Sequence, residues 1–277
     1  MVKNLYQYRI PSQHCEIREG LILQYDSGWG EIAPLPGWSK ETLLDAKKEI
    51  LAFLFENKKP TLPSVKFGLS CAMCPFDFSP IKIPVSALDR PLSLCQTLKL
   101  KLKNLTIQQA IDHVKPYVGK YRLRIDCNRA WSLQEALFFA NHFSPSHFEY
   151  LEEPVHSFFD LVRFSKLTNF PIAVDESLRE GLPYLEIPTL KAAIVKPMLM
   201  GEIPKLNVPI VLSSSHESSL GILQMARLAA PNISHGFDTF SDDVLTPPLC
   251  IKNGYLTWRG YKSPIDVTKL CLIATAP

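Results

Sequence analysis

The sequence predicts an α/β protein: a (β/α)8-type, modified TIM barrel with an N-terminal α+β capping domain. Three observations predict it. From residue 97 onward, short β-prone apolar runs alternate with amphipathic helical segments, the habit of parallel strands joined by crossover helices. The first 75 residues instead carry a strand meander followed by helices. Between the two, residues 75–91 hold Pro75, Pro80, Pro84 and Pro91, a passage between domains. The expected domains are 1–90 (capping), 91–243 (barrel) and 244–277, a C-terminal segment that packs back on the capping domain.

Taken in order, strands are expected over 1–10, 17–25 and 29–32, with Asp26-Ser27-Gly28 as turn chemistry. After a proline-rich corner, Ser39 is the expected N-cap of a helix over 40–56, and Leu43, Leu44, Ile50, Leu51 and Leu54 fall mostly on one face. A second helix covers 65–73, and a strand covers 81–86. The barrel pattern opens with a strand over 97–102 and a helix from Thr106. Next come a strand over 122–127 and a helix opened by the capping box of Ser132 and Glu135. A strand over 148–151, a helix over 158–167 and strands over 172–174, 192–195 and 210–213 follow. The span 196–213 carries Pro197, Pro204 and Pro209 and leaves no room for a full sixth helix. A helix over 220–230 and an eighth short strand over 233–237 close the barrel pattern, and 254–258 is strand-like.

Composition bounds the function. The 277 residues are 46% hydrophobic and 21% charged with a net charge of +3, and no long basic block marks a nucleic-acid or membrane-surface partner. No apolar run approaches the roughly 18 residues of a spanning helix. The N-terminus lacks the apolar core of a signal peptide, so a cytoplasmic location is expected. Seven cysteines, odd in number and irregularly spaced, read as reduced thiols; Cys71 and Cys74 form a lone CxxC that reads as a helix turn rather than a zinc site. The oligomeric state is not legible, and a monomer is compatible with everything above.

Three acidic phrases stand out: YRLRIDCNRAW (121–131), YLEEP (150–154) and PIAVDES (171–177). Each sets a carboxylate at the end of a short apolar run: Asp126, Glu152 and Asp175. Separations of 26 and 23 residues match one strand–helix–strand repeat, so successive parallel strands would deliver the three acids to one rim. Three carboxylates on a rim need a cation between them, and hard oxygen ligands suggest Mg²⁺, with Mn²⁺ an alternative ion. Lys101 lies 25 residues before Asp126, and Lys196 lies 21 after Asp175. Each charge alone reads as an ordinary surface group; five in step read as machinery for moving a proton beside a metal-bound carboxylate.

The residues resemble a known family. GWGEIAPLPGWSKET (28–42), PSVKFGLSCAM (63–73), KLKLK (99–103), LRIDCNRAW (123–131), LEEP (151–154), AVDESLRE (173–180), IVKPML (194–199), SSSHESSLG (213–221) and HGFDT (235–239) are similar to phrases of the enolase superfamily and, within it, of the o-succinylbenzoate synthases of menaquinone biosynthesis. The resemblance implies a small-molecule carboxylate substrate and a Mg²⁺-dependent lyase. The reaction would dehydrate 2-succinyl-6-hydroxy-2,4-cyclohexadiene-1-carboxylate to 2-succinylbenzoate through an enediolate. It implies Asp126, Glu152 and Asp175 as metal ligands, with Glu153 and Glu176 supporting them. Lys101 would be the base, Lys99 its neighbour, and Lys196 the cation facing it across the substrate. Ser213, Ser215 and Gly236 would hold the succinyl carboxylate, and Arg124 and Asn128 would line the pocket. Lys103 stands where the family has a glycine, so the lysine pair reads as 99/101 or as 101/103, the spacing to Asp126 favouring the former. The loop 11–20 is short, which bears on its role as a lid. An N-succinylamino acid racemase or dipeptide epimerase is the rival within the superfamily, and a non-catalytic metal-binding relative is the rival outside catalysis. His14, His113, His142, His147 and His156 lack metal-ligand spacing and read as surface or packing residues; His216 and His235 lie near expected rims.

Overall fold

The computed structural model describes residues 3–11, 17–239, 244–261 and 265–277. The expected short loop lies partly, and His14 wholly, outside the described residues. The chain divides into two compact units: Met1–Pro84 with Lys196–Pro204 and Leu212–Pro277, and Val85–Val195 with Lys205–Val211. These units interleave along the sequence; the continuous ranges 1–90, 91–243 and 244–277 stay our proposal for the sequence domains.

The first unit opens with β1 (Lys3–Pro11), β2 (Ile17–Tyr25) and β3 (Gly28–Ile32), an antiparallel meander turned at Asp26, whose φ is +51°. Then come α1 (Leu43–Glu56), α2 (Pro63–Ala72) and β4 (Ile81–Pro84). Helix α1 starts three residues later than expected. Thr42, not Ser39, is its N-cap: Thr42 and Asp45 form a reciprocal capping box, while Ser39 Oγ accepts the Leu35 N–H at 2.8 Å and closes the proline-rich corner.

The second unit runs β5 (Ala87–Leu88), β6 (Thr97–Lys101), α3 (Ile107–Val114), β7 (Arg122–Asp126), α4 (Leu133–Ala140), β8 (Phe148–Glu152), α5 (Phe158–Thr168), β9 (Ile172–Val174), α6 (Glu176–Arg179) and β10 (Leu190–Val195). The capping boxes Thr106–Gln109 and Ser132–Glu135 open α3 and α4. The sixth helix is reduced to α7 (Pro197–Met200), four residues stopped by Gly201 at φ +83°, as the prolines predicted. The chain ends with β11 (Ile210–Leu212), α8 (Ser219–Arg227), β12 (Cys250–Lys252), β13 (Tyr255–Trp258) and β14 (Cys271–Ala276).

Strands β5 to β11 form one seven-stranded sheet in sequential order, and the registers from β5 through β10 are parallel. This is the (β/α) barrel sheet. The expected eighth strand over 233–237 is reduced to bridge residues at His235 and Gly236, the latter paired in parallel with Ser213. His235 donates its amide to the Pro84 carbonyl and accepts the Leu212 amide at Nδ1, while Gly236 donates to the Leu212 carbonyl and accepts the Ser214 amide.

In the first unit the sheet order is β14-β1-β2-β3, so the last strand pairs with the first, Lys3 opposite Ala276. Strand β13 pairs with β4. Leu5, Leu21, Leu23 and Ile32 of the sheet bury against Ala46, Ile50 and Leu54 of α1 and Val65, Leu69 and Ala72 of α2. Helix α2 lies so close to β3 that Gly28, Gly30 and Gly68 leave no room for a side chain. A Cβ on Gly30 would meet the Gly68 carbonyl oxygen at 1.8 Å, and a Cβ on Gly68 would meet the Glu31 carbonyl oxygen at 2.4 Å. Backbone on both sides cannot yield as a side chain can. Gly68→Ala is therefore expected to destabilise the protein by about 3 kcal/mol, the upper end of overpacking costs, read as a lower denaturant midpoint at unchanged m-value.

Candidate active site

Parallel pairing aligns the strand ends. Lys101 on β6 registers with Asp126 on β7, and Asp126 with Glu152 on β8. Asp175 follows β9 directly. The ladder continues past each acid: Leu102 N–H donates to Asp126 O, Cys127 N–H to Glu152 O and Glu153 N–H to Ala173 O. All three carboxylates are buried, at 3%, 1% and 0% exposure.

Buried anions at one rim demand cations, and the structure supplies two. Lys99 Nζ sits 2.8 Å from Asp126 Oδ2 and 2.7 Å from Glu152 Oε2. Burial alone pulls the pKa of this lysine down, but the two carboxylates outweigh it and hold the ammonium well above the usual lysine range. Asp175 Oδ1 takes the Arg179 Nε–H at 3.0 Å. With the acids engaged in this way, no group of three or more His, Cys, Asp or Glu side chains is arranged to hold a metal ion among the described residues. The donor set nonetheless suits a hard divalent cation: three buried carboxylates, two already closed around a positive charge.

The neighbours of this rim are less uniform. Lys101 is exposed, its own amide donating to Asp89 Oδ1 at 2.7 Å; Lys103 is exposed in the turn beyond β6. Asn128, at φ +46°, donates its amide to Asp126 Oδ1 at 3.2 Å. Arg124 is 1% exposed; it forks onto Glu149 at 2.8 and 3.1 Å and stacks over the Tyr150 ring.

The other expected site residues lie in the first unit. Lys196 ends 5.8 Å from the centre of the Trp38 ring, a cation–π contact. Ser213 and Gly236 form the bridge described above, and a Cβ on Gly236 would meet Ser213 Oγ at 2.7 Å. Ser215 Oγ is buried and has no hydrogen-bond partner among the described residues. His235 accepts from the Leu212 amide through Nδ1, which makes Nε2 the protonated nitrogen that donates to Ala230 O. That ring is a structural brace.

Sequence reading missed the two buried charges that hold the 213–221 segment. Arg18, 3% exposed, donates to the carbonyls of Glu19, Ala33, Pro34, Ser215 and His216. Glu31, 0% exposed, accepts from Tyr8 Oη, from the amides of Ser218 and Gly221, and from Ser218 Oγ. Both sit on short strands beside apolar residues, and only the rarity of a fully buried charge distinguishes them. Their neighbour Glu217 is buried too; its Oε2 accepts the Ser215 amide at 2.6 Å.

Burial, with the Glu31 anion adding to it, pushes the Glu217 carboxyl up to about 7, against the pull of its own amide, the Ser215 amide and Arg18. A folded value above the unfolded one means the folded protein binds the extra proton. The resulting stability is fully present below the unfolded pKa of about 4.3 and is lost as pH rises through about 7, a swing of about 4 kcal/mol. Glu217→Gln is expected to remove that part of the fall in Tm between about pH 5 and pH 8, measured by thermal melts across the range.

Fold and rim together define a barrel of the enolase C-terminal domain-like class, whose family model matches residues 87–187; the model described as MenC, N-terminal domain, matches residues 2–76. The chain is 33% identical to the o-succinylbenzoate synthase of Pasteurella multocida (strain Pm70), over 85% of this chain and 88% of that one. It is 35% identical to that of Haemophilus influenzae (strain ATCC 51907 / DSM 11121 / KW20 / Rd), over 85% and 89%. The chain belongs to the o-succinylbenzoate synthase family. Solved structures agree on the fold: an o-succinylbenzoate synthase from Thermosynechococcus elongatus BP-1 complexed with Mg (TM-score 0.63, 21% identity, 86% of this chain and 91% of that one) and the L-Ala-D/L-Glu epimerase from Bacillus subtilis (TM-score 0.75, 19% identity, 99% of each).

Proposed function

We propose that this protein dehydrates 2-succinyl-6-hydroxy-2,4-cyclohexadiene-1-carboxylate to 2-succinylbenzoate in menaquinone biosynthesis, as a Mg²⁺-dependent lyase of the cytoplasm. The observation that carries the reading is the rim of Asp126, Glu152 and Asp175 on three consecutive parallel strands, with the lysines of the preceding strand beside it. Family membership supports the substrate; the unpaired state of every described cysteine agrees with a reducing compartment. No helix among the described residues is long and apolar enough to cross a membrane.

Asp126, Glu152 and Asp175 would hold the Mg²⁺. When bound, the ion supplies Lewis-acid stabilisation of the substrate carboxylate that takes up charge as the neighbouring proton leaves. Lys101 removes that proton. Lys99, ion-paired to two of the acids, is the less suited base, and its ammonium is the group that must shift when the acids take a different cation. Once protonated, Lys101 returns the proton to the departing hydroxyl, so one residue serves both halves of the elimination. Lys196 contributes a positive charge to the anionic intermediate, its ammonium held by the Trp38 ring. Ser213, Ser215 and Gly236 bind the succinyl carboxylate; a buried hydroxyl such as Ser215 Oγ gains a partner when an oxygen anion arrives. Arg124 and Asn128 line the pocket near the metal, Arg124 held by Glu149 and Asn128 in the turn after Asp126.

The test is the ultraviolet change on adding the cyclohexadiene to purified protein with Mg²⁺. EDTA is expected to abolish turnover. Lys101→Ala is expected to lower kcat by roughly 10²–10⁴-fold, the contribution of general acid–base catalysis. Turnover that survives Lys101→Ala but is lost in Lys103→Ala would move the base to Lys103, and metal binding without any turnover would overturn the reading.

A further inference from the structure

We infer that Arg129 is a positioning residue for the carboxylate rim, acting through Glu153; the inference rests on the metal reading above. The three acids lie at the ends of three separate strands. Backbone bonds at Trp131, to Pro154 and from His156, join the segments after Asp126 and Glu152, and the Arg129–Glu153 ion pair extends that tie to the segment after Asp175. Glu153, 1% exposed and at φ +40°, turns its carboxylate onto the next loop: Oε1 accepts the amides of Asp175 at 3.1 Å and Ser177 at 2.7 Å. Its Oε2 accepts Ser177 Oγ–H at 3.0 Å and Arg129 Nε–H at 3.2 Å. The amide of Asp175 is thus held by the residue that follows Glu152.

Arg129 completes the tie. It stands three residues after Asp126 at φ +58°, and its amide donates to the Glu153 carbonyl at 2.7 Å. Its guanidinium forks onto Glu180 at 2.8 and 2.9 Å and gives a further bond to Ser177 Oγ at 3.0 Å. Its carbonyl meets His156 Nδ1 at 2.5 Å. One side chain therefore bonds to Glu153 after β8 and to α6 and its C-cap after Asp175, while its backbone belongs to the turn after Asp126. A planar fork does this where a point charge cannot, because its N–H groups leave in fixed directions. The guanidinium also compensates Glu153, which would otherwise be a buried anion with only neutral donors. Two non-glycine residues in the left-handed region, Arg129 and Glu153, are the local cost of bringing these groups together.

The test is Mg²⁺ binding by calorimetry on EDTA-treated full-length protein without substrate, paired with the Tm of the metal-free protein. Arg129→Met is expected to weaken Mg²⁺ binding about 10–100-fold, the usual effect of removing a group that orients metal ligands. Arg129→Lys, which keeps the charge and loses the fork, is expected to recover only part of it. Arg163→Met, on an exposed α5 arginine, is the control and leaves binding unchanged. Should Arg129→Met fail to fold, Glu180→Gln, at a half-exposed anchor of the same fork, takes its place with a several-fold loss expected. A lowered Tm with wild-type Mg²⁺ affinity in these variants would make the tie purely structural and overturn the inference. Wild-type protein that binds no Mg²⁺ would overturn the metal reading itself, and the inference with it.

Discussion

Three buried carboxylates at one rim are a charge problem before they are a catalytic device. A buried anion without compensation costs several kcal/mol, so the parallel register that aligns Asp126, Glu152 and Asp175 is tolerable only where cations meet them. Lys99 closes on the first two and Arg179 on the third. The same constraint shapes the residues behind the rim. Glu153 meets Arg129, and Arg124 meets Glu149, so these charges too are paired with an opposite one. Loading the proposed metal would exchange one compensating cation for another.

The first unit meets a similar demand with hydrogen bonds. Arg18 spends its guanidinium on five backbone carbonyls, and Glu31 takes four donors. Neither contact is with an opposite charge. An irregular segment such as 213–218 has backbone groups that no ladder satisfies, and two buried ions serve it in place of neighbours. The serines proposed to bind the succinyl carboxylate are thereby carried on a loop with little freedom.

Much of this was legible before any coordinates. The spacing of Asp126, Glu152 and Asp175 matched the repeat of the sheet because a parallel crossover has a minimum length. The prolines at 197, 204 and 209 announced the lost helix because proline removes the donor a helix needs. Other features were not legible. Thr42 and Ser39 are both capable caps, and the choice was made by Asp45, whose carboxylate reaches back to Thr42. The eighth strand shrank to His235 and Gly236, whose backbone partners Pro84, Leu212 and Ser214 come from other parts of the sequence. Arg18 and Glu31 look like ordinary alternating strand residues, and only tertiary burial separates them from surface charges. The roles of Arg129 and Glu153 were hidden for the same reason: their partners lie in loops that only the sheet brings together.

Strand β14 pairs with β1 across almost the whole chain, and Arg18 binds carbonyls near residue 215. A ribosome delivers the N-terminus first. The opening meander therefore emerges with one edge unpaired and an arginine whose acceptors do not yet exist. It must wait for the last residues of the chain before its sheet is complete, while the strands of the second unit, paired with near neighbours in sequence, can assemble as they appear. An exposed strand edge held open for the length of a synthesis is a site for mispairing. A ribosome stalled late in the message would release a chain with its three rim carboxylates already aligned and its first sheet still open.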